Sequence, residues 1–139
     1  MHFHKVNCQL SSRPKAFYRK PTKPKRARLD QLFAESHFVI LPTRADCVPV
    51  VIAEANSFGV PVVTSDVGGI PTVVNHGVNG AMFSSQSFAG QASDFIFSAM
   101  NDTGTYRRLA EGALGQHEDR LNWNVAGRKV KELLKDHCG

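Results

Sequence analysis

Residues 41–74, LPTRADCVPVVIAEANSFGVPVVTSDVGGIPTVV, leave this chain few ways to fold. Residues 38–41 form a continuous apolar run of the kind that makes a strand buried on both faces. Pro42 stops further ladder pairing, and residues 43–47 make a polar loop at the strand's carboxyl end. Open α/β sheets bind ligands at that end. Pro49 suits the first helical position, which makes Val48 the N-cap, a residue with no side-chain acceptor. The N–H groups of Val50, Val51 and Ile52 are then expected to lack a side-chain partner. They are open to water or to an anion such as a diphosphate, which the helix dipole also favours. Glu54 lies one turn past Val50, and Gly59 suits the stop of a helix over 50–58. Residues 61–64 read as the next buried strand, so the helix is the crossover of a right-handed βαβ unit. Residues 66–69 follow as a loop. Its glycines admit either a plain tight turn or the close approach of a ligand.

Three motifs stand in series here. Asp46 and Glu54 are separated by seven residues, the strand segment Gly59-Val60-Pro61-Val62-Val63 follows, and then the turn Gly68-Gly69-Ile70-Pro71. Together they resemble the donor-nucleotide half of retaining glycosyltransferases of the GT-B fold, in the large family 4 group. The resemblance covers about residues 29–135. It implies an α/β, partial Rossmann-like domain with a mostly parallel sheet and flanking helices. It also implies transfer of a sugar from a nucleotide-diphosphate sugar to an acceptor, with retention at the anomeric carbon. By this likeness Glu54 bonds the ribose hydroxyls, and Asp46 lies near the donor sugar as the catalytic-site acid. Backbone groups of Cys47, Val48, Val50 and Val51 meet sugar and phosphate oxygens. The family generally works without a metal, so no cofactor is expected beyond the nucleotide-sugar co-substrate. Two positions depart from the family pattern: Asp46 stands where Glu is common, and Thr72 stands where Glu commonly follows the Gly-Gly-Ile-Pro turn.

Charge divides the chain unevenly. Of 17 Lys and Arg, those before Leu29 are Lys5, Arg13, Lys15, Arg19, Lys20, Lys23, Lys25, Arg26 and Arg28, and no acid precedes Asp30. The net charge of +5 therefore belongs to a basic leader, residues 1–28, expected to be disordered, and not to the domain over 29–139. Three readings of the leader stay open: a basic arm for nucleic acid or anionic lipid, a transit peptide, and the remnant of a truncated upstream domain. Phe3, Phe17 and Tyr18 are too few for a base-stacking platform, so specific nucleic-acid binding is not expected. No apolar run approaches the roughly 20 residues of a membrane span. Cys8, Cys47 and Cys138 are odd in number and far apart, which fits a reducing, cytoplasmic setting over a disulfide framework. His2 and His4 alone have metal-like spacing, and they lie at a terminus, so no metal site is expected.

The remaining elements are helices and short connections. A short helix is expected over 29–36, with Leu29, Leu32 and Phe33 on one face. A helical turn follows near 73–77, a turn at Asn79-Gly80, and a last strand over 81–83. A helix capped by Ser87 buries Phe88, Ala92, Phe95, Ile96, Ala99 and Met100. A helix over 105–119 turns Tyr106, Leu109, Ala110 and Ala113 inward and leaves Arg107 and Arg108 in solvent. The last helix starts at residues 122–124, where Trp123, by resemblance, packs on the domain.

A whole enzyme of the resembled type has an acceptor domain earlier in its chain, and a Gly-rich turn with a basic pair for the diphosphate. No Gly occurs before Gly59. The chain is thus expected to be inactive alone, with an acceptor of unknown identity and a missing acceptor domain or partner subunit. The alternative is a non-catalytic fragment for sugar-nucleotide binding or subunit interaction.

Overall fold

A computed structural model describes residues 24–138, and the leader up to residue 23 lies outside the described residues. The elements run α1 (Pro24–Glu35), β1 (Val39–Leu41), α2 (Val50–Ser57), β2 (Val62–Ser65), a single 3-10 turn (Ile70–Thr72), β3 (Gly80–Phe83), α3 (Phe88–Asn101), α4 (Thr103–Asp119) and α5 (Trp123–Cys138). The three strands form one parallel sheet in the order β1-β2-β3. Val39 pairs with Val62 and Leu41 with Thr64 on one side, and Val62 pairs with Gly80 and Ser65 with Phe83 on the other. The chain is therefore an α/β, Rossmann-like unit, as its motifs require.

Central β2 is buried at every position. By the period-two alternation of a strand, Val62 and Val63 serve opposite faces. Val62 joins Phe33, Ile52, Ala55, Phe58, Val60, Ile70, Val73 and Val74 in one apolar cluster, with Val39 and Leu41 packed against it. The Phe33 and Phe58 rings stack at 5.7 Å there, tying α1 to the end of α2. Helix α3 packs on β3 and β2, and α4 packs against both α2 and α3. Phe95 of α3 meets Phe38 at 6.4 Å and Phe83 at 5.9 Å, edge to face, so this aromatic set is packing and not a binding box.

Local chemistry explains where the helices stop. Phe58 is the C-cap of α2, and Gly59 follows at φ 66, where a side chain is disfavoured. The Val60 N–H then donates to the Ala55 carbonyl at 3.0 Å and the Gly59 N–H to Asn56 at 2.9 Å, closing a Schellman motif. Asp102 ends α3 and starts α4, and its carboxylate accepts from the Gly104 N–H at 3.0 Å.

Several expectations are corrected. Helix α1 begins at Pro24, five residues before Leu29, so part of the basic stretch is helical. β1 is not buried on both faces: Ile40 is 55% exposed, because α3 covers β2 and β3 and leaves β1 at the open edge. In place of a helical turn at 73–77, the 3-10 turn lies over Ile70–Thr72. Ser87 stands at the N-cap of α3, but its hydroxyl donates to Gln91 Oε1 at 2.6 Å and caps no N–H. Helix α4 starts at Thr103, two residues before Thr105. Trp123 does not pack on the described domain: it is 86% exposed, and Val125 is the residue of that turn which is buried.

Candidate functional site

Parallel strands place the loops after β1 and β2 at the same end of the sheet. Residues 42–49 connect β1 to α2, and residues 66–69 lead from β2 into the 3-10 turn. The two loops touch through their backbones. The Gly69 N–H donates to the Asp46 carbonyl at 3.2 Å. A Cβ added to Gly68 would lie 1.9 Å from the Asp46 oxygen, and one added to Gly69 would lie 1.9 Å from the Cys47 oxygen. The glycines thus make room for the chain's own Asp46–Cys47 backbone. The tight turn expected from sequence is present, with Gly68 at φ 56 and the Ile70 N–H donating to the Val67 carbonyl at 3.2 Å, and its close approach is to the chain's own backbone.

The six residues expected at the site lie along this end of the sheet. Asp46 is half-buried in the loop, Cys47 is exposed with a free thiol, and Val48 is exposed. Val50 is 62% exposed at the first turn of α2, while Val51 is half-buried against the apolar cluster. Glu54 is half-buried one turn further on.

The cap of α2 differs from expectation. Pro49 is the N-cap, with extended φ −63 and ψ 121, and the first helical residue is Val50. The cause is Pro49's extended ψ, which places the first helical dihedrals one residue later. Pro has no side-chain acceptor, and no side chain caps the helix. Ile52 N–H is not open, as it donates to the Pro49 carbonyl at 3.1 Å. That leaves the N–H groups of Val50 and Val51 as the uncapped donors of this helix end.

Sequence reasoning missed the residues that brace the site from behind. His117 Nδ1 lies 3.2 Å from the Ala53 carbonyl, beside Glu54, and a carbonyl can only accept, so Nδ1 carries the proton. Arg120 Nη2 donates to the Thr72 carbonyl. The Thr72 hydroxyl donates to the Gly69 carbonyl at 2.6 Å, and Gly69 in turn donates to Asp46. Asn75 Nδ2 donates to Gln116 Oε1 at 3.2 Å. Gln116, His117 and Arg120 all sit at the end of α4, 41 to 64 residues from these partners. No local pattern links positions so far apart. Only Thr72 left a signal, as a departure from the motif.

Below the site, Asn79 Nδ2 donates to Asn56 Oδ1 at 2.7 Å and to the Val73 carbonyl at 2.9 Å. Both side chains are fully buried and hydrogen-bonded. Among the described residues, no three His, Cys, Asp or Glu side chains gather as metal ligands would. No helix among them is long and apolar enough to cross a membrane.

Comparison with known proteins places this geometry. The family model described as glycosyl transferases group 1 matches residues 18–99. Among curated relatives, a D-inositol 3-phosphate glycosyltransferase of Streptomyces bingchenggensis is 26% identical over 96% of this chain, and the match spans 28% of that protein. A D-inositol 3-phosphate glycosyltransferase of Xylanimonas cellulosilytica is 32% identical over 78% of this chain and 25% of its own length. Among solved structures, Anabaena Alr3699/HepE in complex with UDP superposes with a TM-score of 0.68 at 28% identity, over 79% of this chain and 30% of that one. The sucrose-phosphate synthase of Thermosynechococcus elongatus has a TM-score of 0.70 at 21% identity, over 80% of this chain and 28% of that one, a likeness of fold. The chain spans less than a third of the length of each of these proteins. With the matched model covering more than half of its residues, and the fold and motifs agreeing, the chain belongs to the glycosyl transferases group 1 family.

Proposed function

We propose that this chain is the donor-binding part of a retaining glycosyltransferase that uses a nucleotide-diphosphate sugar, most consistently a uridine one. The carrying observation is the pair of acids around the uncapped start of α2, at the carboxyl end of a parallel sheet. The likeness to a protein solved with UDP and with UDP-glucose supports the choice of nucleotide. In this reading the Val50 and Val51 N–H groups, with the helix dipole, hold the anionic leaving group. Glu54 accepts from the ribose hydroxyls. Asp46 lies on the sugar side, and Cys47 and Val48 offer backbone groups to it. Amides and the dipole carry the diphosphate charge in place of a metal. Three widely spaced cysteines suit the cytoplasm. The acceptor is met by a separate domain or subunit, so the isolated chain binds donor without turning it over.

Thermal unfolding with UDP, GDP and ADP, in wild type and Glu54→Ala, tests this. A nucleotide that binds only the native state at a hundred times its Kd adds about 2.7 kcal/mol. A shift with UDP that is lost in the variant supports the reading. A folded chain that responds to none of the three sinks it.

A second reading is a non-catalytic sugar-nucleotide-binding or subunit-interaction fragment. Turnover of UDP-glucose by the chain mixed with an acceptor domain from a relative would exclude it. Binding without turnover in that mixture would favour it.

A further inference from the structure

We propose that the last turn of α4, acting through Arg120 and Thr72, is a positioning device that fixes the Asp46 loop in register with the helix bearing Glu54. The inference rests on the donor-site reading of those two acids. Four hydrogen bonds and one steric limit carry it.

Arg120 is the C-cap residue of α4, a helix anchored by buried Tyr106, Leu109 and Ala113. Its guanidinium donates to the Thr72 carbonyl, a charge-assisted bond. The Thr72 hydroxyl donates to the Gly69 carbonyl at 2.6 Å. The Gly69 N–H donates to the Asp46 carbonyl at 3.2 Å. The links stand in series, and the turn cannot slide toward the loop, because Gly68 and Gly69 already lie as close as a missing Cβ allows. One turn earlier on α4, His117 holds the Ala53 carbonyl, next to Glu54. One helix end therefore registers both acids.

Such registration matters for an aspartate. Its carboxylate sits one methylene from the backbone, so its position follows the backbone's closely. A donor site needs its groups placed to within a fraction of an ångström, and misplacement from a distant change is costly. Thr72 then has a use of its own: its hydroxyl adds a second bond to the Gly69 carbonyl, which the Thr72 N–H already reaches at 3.0 Å.

Thr72 and Arg120 are both exposed, so substituting them leaves the core intact. The test uses the 139-residue chain as Thr72→Val, Thr72→Ser and Arg120→Ala. Amide hydrogen exchange over residues 43–51 and affinity for UDP and UDP-glucose are the readouts. Thr72→Val and Arg120→Ala should speed exchange in that segment, leave β2 unchanged, and weaken nucleotide binding about fivefold to tenfold. Thr72→Ser, which keeps the hydroxyl, should restore both. A merely structural role would lower the unfolding temperature without singling out this segment. Unchanged exchange at 43–51 in both variants overturns the proposal, whatever the nucleotide does. If exchange responds but the wild type binds neither nucleotide, the coupling stands and the donor-site reading falls.

Discussion

Gly69 separates two reasons for a glycine that usually act together. Its φ of −87 is open to any residue, so only space forbids a side chain there. Gly69→Ala would push its methyl onto the Cys47 carbonyl, and backbone does not yield as a flexible side chain does. A loss of about 1–3 kcal/mol is expected, read as a lower urea midpoint at unchanged slope. Stability equal to wild type would mean that the loop moves aside freely, and that the Asp46 backbone is not held. Asp102 makes a residue-scale prediction of another kind. Its carboxyl lies below the ordinary 3.8, chiefly through the Thr105 hydroxyl, then the Gly104 and Thr105 N–H groups, with a small contribution from Arg108. A depressed carboxylate contributes stability that is present above its unfolded pKa and lost as pH falls through the folded one. Asp102→Asn keeps a capping oxygen but loses the charge. The unfolding-temperature gap between wild type and variant should hold near neutral pH and close below about pH 4. A gap that widens in acid would reverse the sign and refute the assignment.

At the scale of elements, helix α2 and the turn before β3 are joined by the buried Asn56–Asn79 pair. Asn79 serves three partners: Asn56 Oδ1, the Val73 carbonyl and the Asn75 N–H, the last at 2.7 Å. Asn79→Ala strands these groups in the core and should cost roughly 3 kcal/mol, since a buried group left unpaired loses its full desolvation penalty. The double variant with Asn56→Ala should cost clearly less than the two single losses together. Additive losses in chemical denaturation would show that the two side chains do not act as a unit. The pair also marks where sequence reading stops. Strand β2, helix α2, the Gly59 stop and the Asp46–Glu54 spacing were legible because each rests on residues no more than eight positions apart. Asn56 with Asn79, and Arg120 with Thr72, meet across 23 and 48 residues. Apart from the departure from the motif at Thr72, nothing in their neighbourhoods distinguishes them from ordinary surface polar residues. Exposure was misread for a related reason. The run at 38–41 is apolar enough for a strand covered on both faces, but what covers a strand is another element, and α3 packs chiefly on β3 and β2. Trp123 was expected against the domain by resemblance, and it faces solvent while Val125 of the same turn is buried.

At the scale of the whole molecule, the described sheet has a sealed centre and two edge strands, β1 and β3. β2 is covered on both faces, while β1 lies at the sheet edge with Ile40 55% exposed. Val48 at 48% and Val50 at 62% stand in the loop and first helical turn that follow it. An unprotected edge strand offers a row of unpaired backbone groups, and proteins usually blunt such edges with charge, Pro or a cover. Pro42 ends this strand, but no Lys, Arg, Asp or Glu lies between His37 and Thr43 to repel a second chain. Charge gives little help, since residues from Leu29 onward carry only a modest acidic excess against the basic leader. The chain by itself is therefore expected to self-associate through β1. Sedimentation velocity over a tenfold concentration range should show mass rising with concentration. Ile40→Lys puts a charge at the middle of the edge without touching the buried cluster, and should return the chain to a monomer with its unfolding temperature unchanged. A wild type that stays monomeric throughout would mean that the edge is closed, and an Ile40→Lys variant that associates as before would place the contact on another surface, such as the exposed Val130, Leu133 and Leu134 of α5.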